Sequence, residues 1–277
     1  MSGGHAGQER GTRFDDFEFA VRWEDSTGEF LPGPLIVTSR IASGFEYEAA
    51  KRRMRESLRS APNAAADEMM RALVRPDLSV ALCGGDPRDP DNPESVVRVY
   101  GARNDDRAYV VRQLPGETCW HASGFVVSEH DPSALPAALV AALPSVAAGR
   151  QSEIALSRGP VSDASDGMDY TVGRSDIRDS FEDSAVDRAN AFQQLPTSMS
   201  GYVEFAQGWS AFGPRGLVHR AMGWRDVVDD GRYAIVGDLP TAVAKGVDAK
   251  AFQTLIAEEI EEVMLVIADE RRSIPRG

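Results

Sequence analysis

The sequence predicts an α/β chain in which two related halves share one sheet, and three observations carry that expectation. One segment occurs twice, as RAYVVRQLP at residues 107–115 and as RYAIVGDLP at residues 232–240. Each copy has an Asp-containing turn before the arginine (Asn104, Asp105, Asp106; Asp229, Asp230, Gly231), a strand of aromatic and β-branched residues after it, and Leu-Pro at the same spacing. Further on, each copy reaches an aspartate suited to cap a helix, Asp131 and Asp248. Such a duplicated strand–turn–strand–helix unit predicts a pseudo-two-fold surface, a design common in proteins that hold other proteins. At 277 residues the chain is long enough for one large domain or two fused halves.

The elements follow in order. Phe14, Phe17, Phe19, Val21 and Trp23 alternate as in a strand, yet Asp16, Phe19, Ala20 and Trp23 share one helical face, and the helix is the preferred reading. Residues 28–34 form a turn region and 35–38 a short strand. Tyr47, Ala50, Met54 and Leu58 give helical spacing over 45–60; Met69, Met70, Leu73 and Val74 continue it over 64–74, until Pro76 stops it. A strand over 78–83 leads into GGDPRDPDNPE (84–94), a loop too long for a simple hairpin, and then into a strand over 96–102. Strands at 107–114 and 125–127 precede a helix that starts at Asp131-Pro132 and ends near Leu143. Residues 157–174 read as a linker, and Ile177, Phe181, Ala185 and Ala189 mark a helix over 175–194. Strands at 202–207, 217–224 and 232–236 follow, with Asp230-Gly231 as a hairpin signal. The last helix, 249–271, buries a stripe of Phe252, Leu255, Ile256, Ile260, Val263, Met264 and Ile267, opposite Glu258, Glu259, Glu261 and Glu262. The division is a disordered tail (1–13), an N-terminal half (14–156), the linker (157–174) and a C-terminal half (175–277).

A net charge of −13 argues against a nucleic-acid partner, because neutralising phosphates needs a basic face. Only Lys51, Lys245 and Lys250 are lysines, so arginine supplies the remaining basic residues. Cys83 and Cys119 read as reduced core residues. No run approaches the ~18 apolar residues of a membrane span, and residues 1–13 lack the apolar segment of a signal peptide. The expected location is the cytoplasm, and self-association as a homodimer is compatible with the chain.

Catalytic motifs are missing. No GxSxG elbow, P-loop or GxGxxG occurs, and the carboxylate pairs Asp105/Asp106 and Asp229/Asp230 sit in turns, where aspartate is expected for backbone reasons. His5, His121, His130 and His219 accompany no CxxC, HxH or HExxH spacing, so no metal site and no cofactor is expected. The alternative to a binding protein is a small-molecule enzyme with His121 and His130 as an acid–base pair; a general interaction scaffold is a third reading.

Four blocks in order, FEFAVRWEDSTGEFLPGPLIV (17–37), ALVRPDLSVALCGG (72–85), ALVAALPSVAAGR (138–150) and WRDVVDDGRYAIV (224–236), resemble the EspG family. The resemblance implies a pseudo-symmetric fold of α+β type, with a central, mainly antiparallel sheet and packed helices. It also implies a cytosolic, non-enzymatic chaperone of actinobacterial type VII (ESX) secretion, which binds the PPE partner of a PE–PPE pair, keeps it soluble and delivers it to the machinery. Client contacts are implied for the loop between the second and third strands and for the C-terminal helical region. Here these are Gly85, Asp86, Arg88, Asp89, Asp91 and Asn92, and the acidic side of the last helix, Glu258, Glu259 and Glu262, which is expected to face a basic or amide-rich tip. None of the six tyrosines has Asp or Glu four residues later, and no Trp-x-Gly occurs, which sets the chain apart from secreted type VII substrates.

Overall fold

The computed structural model describes residues 11–156, 180–237 and 241–273. In chain order the N-terminal elements are β1 (Thr12–Phe14), α1 (Asp16–Thr27), α2 (Gly44–Ser60), α3 (Ala64–Val74), β2 (Leu78–Gly85), β3 (Val97–Arg103), β4 (Ala108–Pro115), β5 (Ala122–His130) and α4 (Leu135–Val140). After β6 (Ile154–Ala155) come α5 (Ser180–Gln194), β7 (Thr197–Gln207), β8 (His219–Val227), β9 (Gly231–Val236), β10 (Val243–Gly246) and α6 (Ala249–Ser273). The strands form one sheet in the order β1-β5-β4-β3-β2-β7-β8-β9-β10-β6, and each neighbouring pair is antiparallel.

The strand order is mirrored about the central β2·β7 pair. Moving outward, one half lays down β2, β3, β4 and β5, and the other lays down β7, β8, β9 and β10. Each set is preceded by a helix (α3, α5) and followed by one (α4, α6). The duplicated segments are β4 and β9, each third from the centre. Leu114 and Pro115 end β4 at an irregularity in its pairing with β5; their counterparts, Leu239 and Pro240, lie outside the described residues. Both capping aspartates act as expected: Asp131 Oδ1 accepts from the Ser133 N–H at 2.8 Å, and Asp248 Oδ1 accepts from the Ala251 N–H at 2.8 Å.

Strand alternation sorts the core onto two faces. Val80, Leu82, Val99, Val110, Val203, Phe205, Met222 and Trp224 lie beneath α4 and α6, against Leu135, Leu139, Phe252, Ile256, Ile260 and Val263, so one helical layer spans both halves. On the opposite face the halves are covered separately. Tyr100, Tyr109, Val111, Phe125 and Val127 pack against Phe19 and Trp23 of α1 and Met70 and Leu73 of α3, with Phe19 and Phe125 stacked at 4.5 Å between ring centroids. Val227, Tyr233 and Ala244 pack against Ala189 and Phe192 of α5.

Several readings are corrected. Residues 35–38 are not a strand: β1 takes the edge beside β5, and the Ile36 N–H donates instead to Gln113 Oε1 of β4 at 2.8 Å. Strand β1 begins inside the stretch read as a tail. The helix after Asp131 opens with a 3-10 turn over Pro132–Ala134 and ends at Val140, before Leu143. Gly84 and Gly85 belong to β2, so the loop that follows begins at Asp86. The linker reading at 157–174 falls outside the described residues.

Candidate functional site

Loop 86–96 joins β2 to β3 at one end of the sheet and is a chain of short turns. Asp86 Oδ1 accepts from the Arg88 N–H at 2.9 Å, and the Arg88 guanidinium grips the same carboxylate at 2.9 and 2.7 Å. That pairing holds the Asp86 carboxyl down to about 2. Asn92 Nδ2 donates to Asp89 Oδ2 at 3.1 Å, Asn92 Oδ1 accepts from the Glu94 N–H at 3.0 Å, and the Ser95 hydroxyl donates to the Asn92 carbonyl at 2.8 Å. A 3-10 turn over Pro93–Ser95 closes the loop. Asp and Asn bonding to nearby backbone N–H groups shape such turns without a ladder. Arg88, Asp89 and Asp91 are exposed, whereas Gly85, Asp86 and Asn92 are half-buried. The result is an ordered, charged prominence.

Loop 116–121, between β4 and β5, stands at the same end, and a small crevice lined by Pro93, Val96, Arg98, Pro115, Thr118 and His121 lies where the two loops meet. Its crest is Trp120, 61% exposed, whose carbonyl accepts from the Thr38 hydroxyl at 2.6 Å. The loop is braced by Arg40, which reaches Glu117 at 2.7 Å and Asp16 at 2.7 Å and holds the Glu117 carboxyl at about 2. Trp120 was not among the residues singled out from sequence. The available signal was a tryptophan in a polar turn between two strands, where no core can receive it.

The glutamates of α6 occupy a different place. Glu259 and Glu262 both pair with Arg220 of β8, Glu262 at 2.9 Å. Glu258 is exposed. No hydrogen bond or ion pair among the described residues connects these glutamates with loop 86–96. The last turns of α6 instead anchor loop 208–218, between β7 and β8, which is the mirror counterpart of loop 86–96 at the other end of the sheet. Buried Glu270 accepts from the Ser210 hydroxyl and the Ala211 N–H, each at 3.0 Å. That loop presents Trp209 (65% exposed) and Phe212 (72% exposed). The two ends therefore differ in chemistry, one charged with a flanking tryptophan and the other aromatic.

His121 and His130 do not form a site. His121 immediately precedes the nine-residue β5 and His130 ends it, which puts them about 25–30 Å apart at the usual strand rise. His121 Nδ1 meets the Thr118 hydroxyl at 2.8 Å, and His130 Nε2 meets the Ser128 hydroxyl at 2.7 Å. Burial lowers the His130 pKa. Among the described residues, no group of three or more His, Cys, Asp or Glu side chains is placed to hold a metal ion. Among the same residues, no helix is long and apolar enough to cross a membrane.

Comparison with known proteins agrees with this architecture. A solved structure of the Mycobacterium tuberculosis type VII secretion system chaperone EspG5, in complex with the PE25-PPE41 dimer, aligns over 96% of this chain and 97% of that chain, with a TM-score of 0.51 at 12% identity. No curated protein matches the chain. The EspG family model matches residues 16–258. The chain belongs to the EspG family.

Proposed function

We propose that this protein is a cytoplasmic chaperone of type VII secretion that binds a PPE-class client, keeps it soluble and hands it to the ESX machinery. The observation that carries the reading is the match to the EspG family over residues 16–258, on a fold shared with EspG5, whose solved complex contains a PE–PPE dimer. The work assigned to the protein is binding, not catalysis. Client contact is assigned to the end of the sheet formed by loops 86–96 and 116–121, with Asp86, Arg88, Asp89 and Asp91 as a charged rim, the amide of Asn92 beside them and Trp120 as an apolar anchor. An exposed tryptophan beside ordered polar turns has the composition of an interface, where a few aromatic and charged anchors carry most of the affinity. Glu258 is a second, outlying contact, while Glu259 and Glu262 serve chiefly to hold Arg220.

The test is the fate of the client. PE–PPE pairs from the same genome, expressed with and without this chain, should partition differently: the PPE subunit is expected in the soluble fraction only, or mainly, when the chain is present. Equal solubility of every such pair in both conditions would refute the reading.

A further inference from the structure

Helices α1, α2 and α3 line an open groove of about 530 Å³ on the N-terminal half, and no residue of loops 86–96, 116–121 or 208–218 lines it. Four arginines, Arg22, Arg55, Arg59 and Arg71, and two aspartates, Asp25 and Asp67, line it. Two of the four arginines are already charge-paired, each with two carboxylates. Arg22 is nearly buried and donates to Glu18 Oε1 and Asp67 Oδ1, each at 2.8 Å, and Arg55 donates to Asp25 Oδ1 at 2.7 Å and lies 3.8 Å from Glu24 Oε1. Arg59 of α2 and Arg71 of α3 are exposed. Arg71 Nε donates to the Asp67 carbonyl at 3.2 Å, and neither side chain has a carboxylate partner among the described residues. Leu58 and Met70 provide an apolar patch, and Pro62, in the link between α2 and α3, lines the groove.

Two uncommitted guanidiniums, lining one groove beside two that carboxylates hold in place, describe an oxyanion site. A guanidinium fork is matched by one carboxylate, but a phosphate dianion can accept forks from two sides at once. The volume falls in the range of small-molecule sites. We propose that this groove binds a diphosphate-bearing small molecule, with Arg59 and Arg71 as its ligands and the carboxylate-paired Arg22 and Arg55 as the wall that shapes it. The assignment is independent of the client-binding reading, because it involves neither loop.

Calorimetric titration of the full chain with sodium pyrophosphate tests it, in a buffer free of phosphate and sulfate. Saturable one-to-one binding is expected, together with a rise in the thermal transition. Arg59→Gln/Arg71→Gln should weaken binding at least tenfold, while Arg52→Gln/Arg53→Gln, which removes the same charge from exposed positions of α2 outside the groove, should leave it within about twofold. ADP distinguishes the sources of the diphosphate: tighter binding than pyrophosphate points to a nucleotide, and equal binding to the diphosphate alone. No saturable binding of either probe would overturn the proposal, as would equal weakening in both double variants. Saturable binding of an oligoglutamate peptide in place of the phosphate probes would overturn the ligand class.

Discussion

A Cβ placed on Gly84 would stand 2.3 Å from Cζ2 of Trp224, a fully buried ring at the centre of the shared core. Gly84→Ala therefore forces the ring or the strand to move, and the expected loss is about 1–3 kcal/mol in urea unfolding. The neighbouring ion pair is under stricter constraint. Arg232 grips Asp226 at 2.7 and 2.8 Å with both side chains only 2% exposed, and it also faces the Trp224 ring at 5.2 Å. Asp226→Asn leaves a buried guanidinium without its counter-charge and should cost about 3–5 kcal/mol, whereas Asp226→Leu/Arg232→Met together should cost clearly less. At the surface, Asp86 gives a pH signature. Its folded pKa of about 2 lies below that of an unfolded aspartate, so the stabilisation is present above about pH 4 and fades as pH falls toward 2. In Arg88→Ala, carboxyl NMR should show Asp86 titrating nearer the ordinary aspartate range; an unchanged titration would assign the shift to something other than Arg88. The repeat itself was legible at this scale, but the roles of its arginines were not. Arg232 is buried on Asp226, while Arg107 lies at the surface on Glu68 at 2.9 Å. Nothing in RAYVV and RYAIV distinguishes the two, because the difference lies in which strand and helix face each arginine.

Among the elements, the long helices were the most legible. The Met69–Val74 pattern and the stop at Pro76 match α3, Ala64–Val74, and the stripe from Phe252 to Ile267 matches α6. Strands β1, β6 and β10 have three, two and four residues, too few for a period-two pattern to register. The site was only partly legible for a related reason. Loop 86–96 announced itself through Gly, Pro and Asp, but periodicity along α6 cannot reveal that Arg220 crosses over from β8 to occupy Glu259 and Glu262. Nor could spacing show that His121 and His130 are separated by the whole of β5. The loop makes a prediction at this scale. Replacing residues 86–95 with Asn-Gly joins Gly85 to Val96 through a short hairpin turn and leaves the β2·β3 ladder intact. The thermal transition should stay unchanged while client affinity falls at least tenfold, about 1.4 kcal/mol. Full affinity in a folded variant would remove the loop from the client surface.

At the scale of the whole molecule, two four-strand units meet along β2·β7, and the α4–α6 layer crosses the seam, so the halves share one core and present two opposite ends. The two ends differ in chemistry, and the proposed function assigns the main client contact to one of them. Client binding through that end is the central claim, and co-elution tests it most directly. The purified chain should be mixed with a PE–PPE dimer from the same genome and resolved by size-exclusion chromatography with light scattering. The account predicts one peak with the mass of a 1:1:1 complex, reduced to separate peaks by the loop 86–95 replacement. Separate elution of the unmodified chain from every PE–PPE pair offered would contradict it.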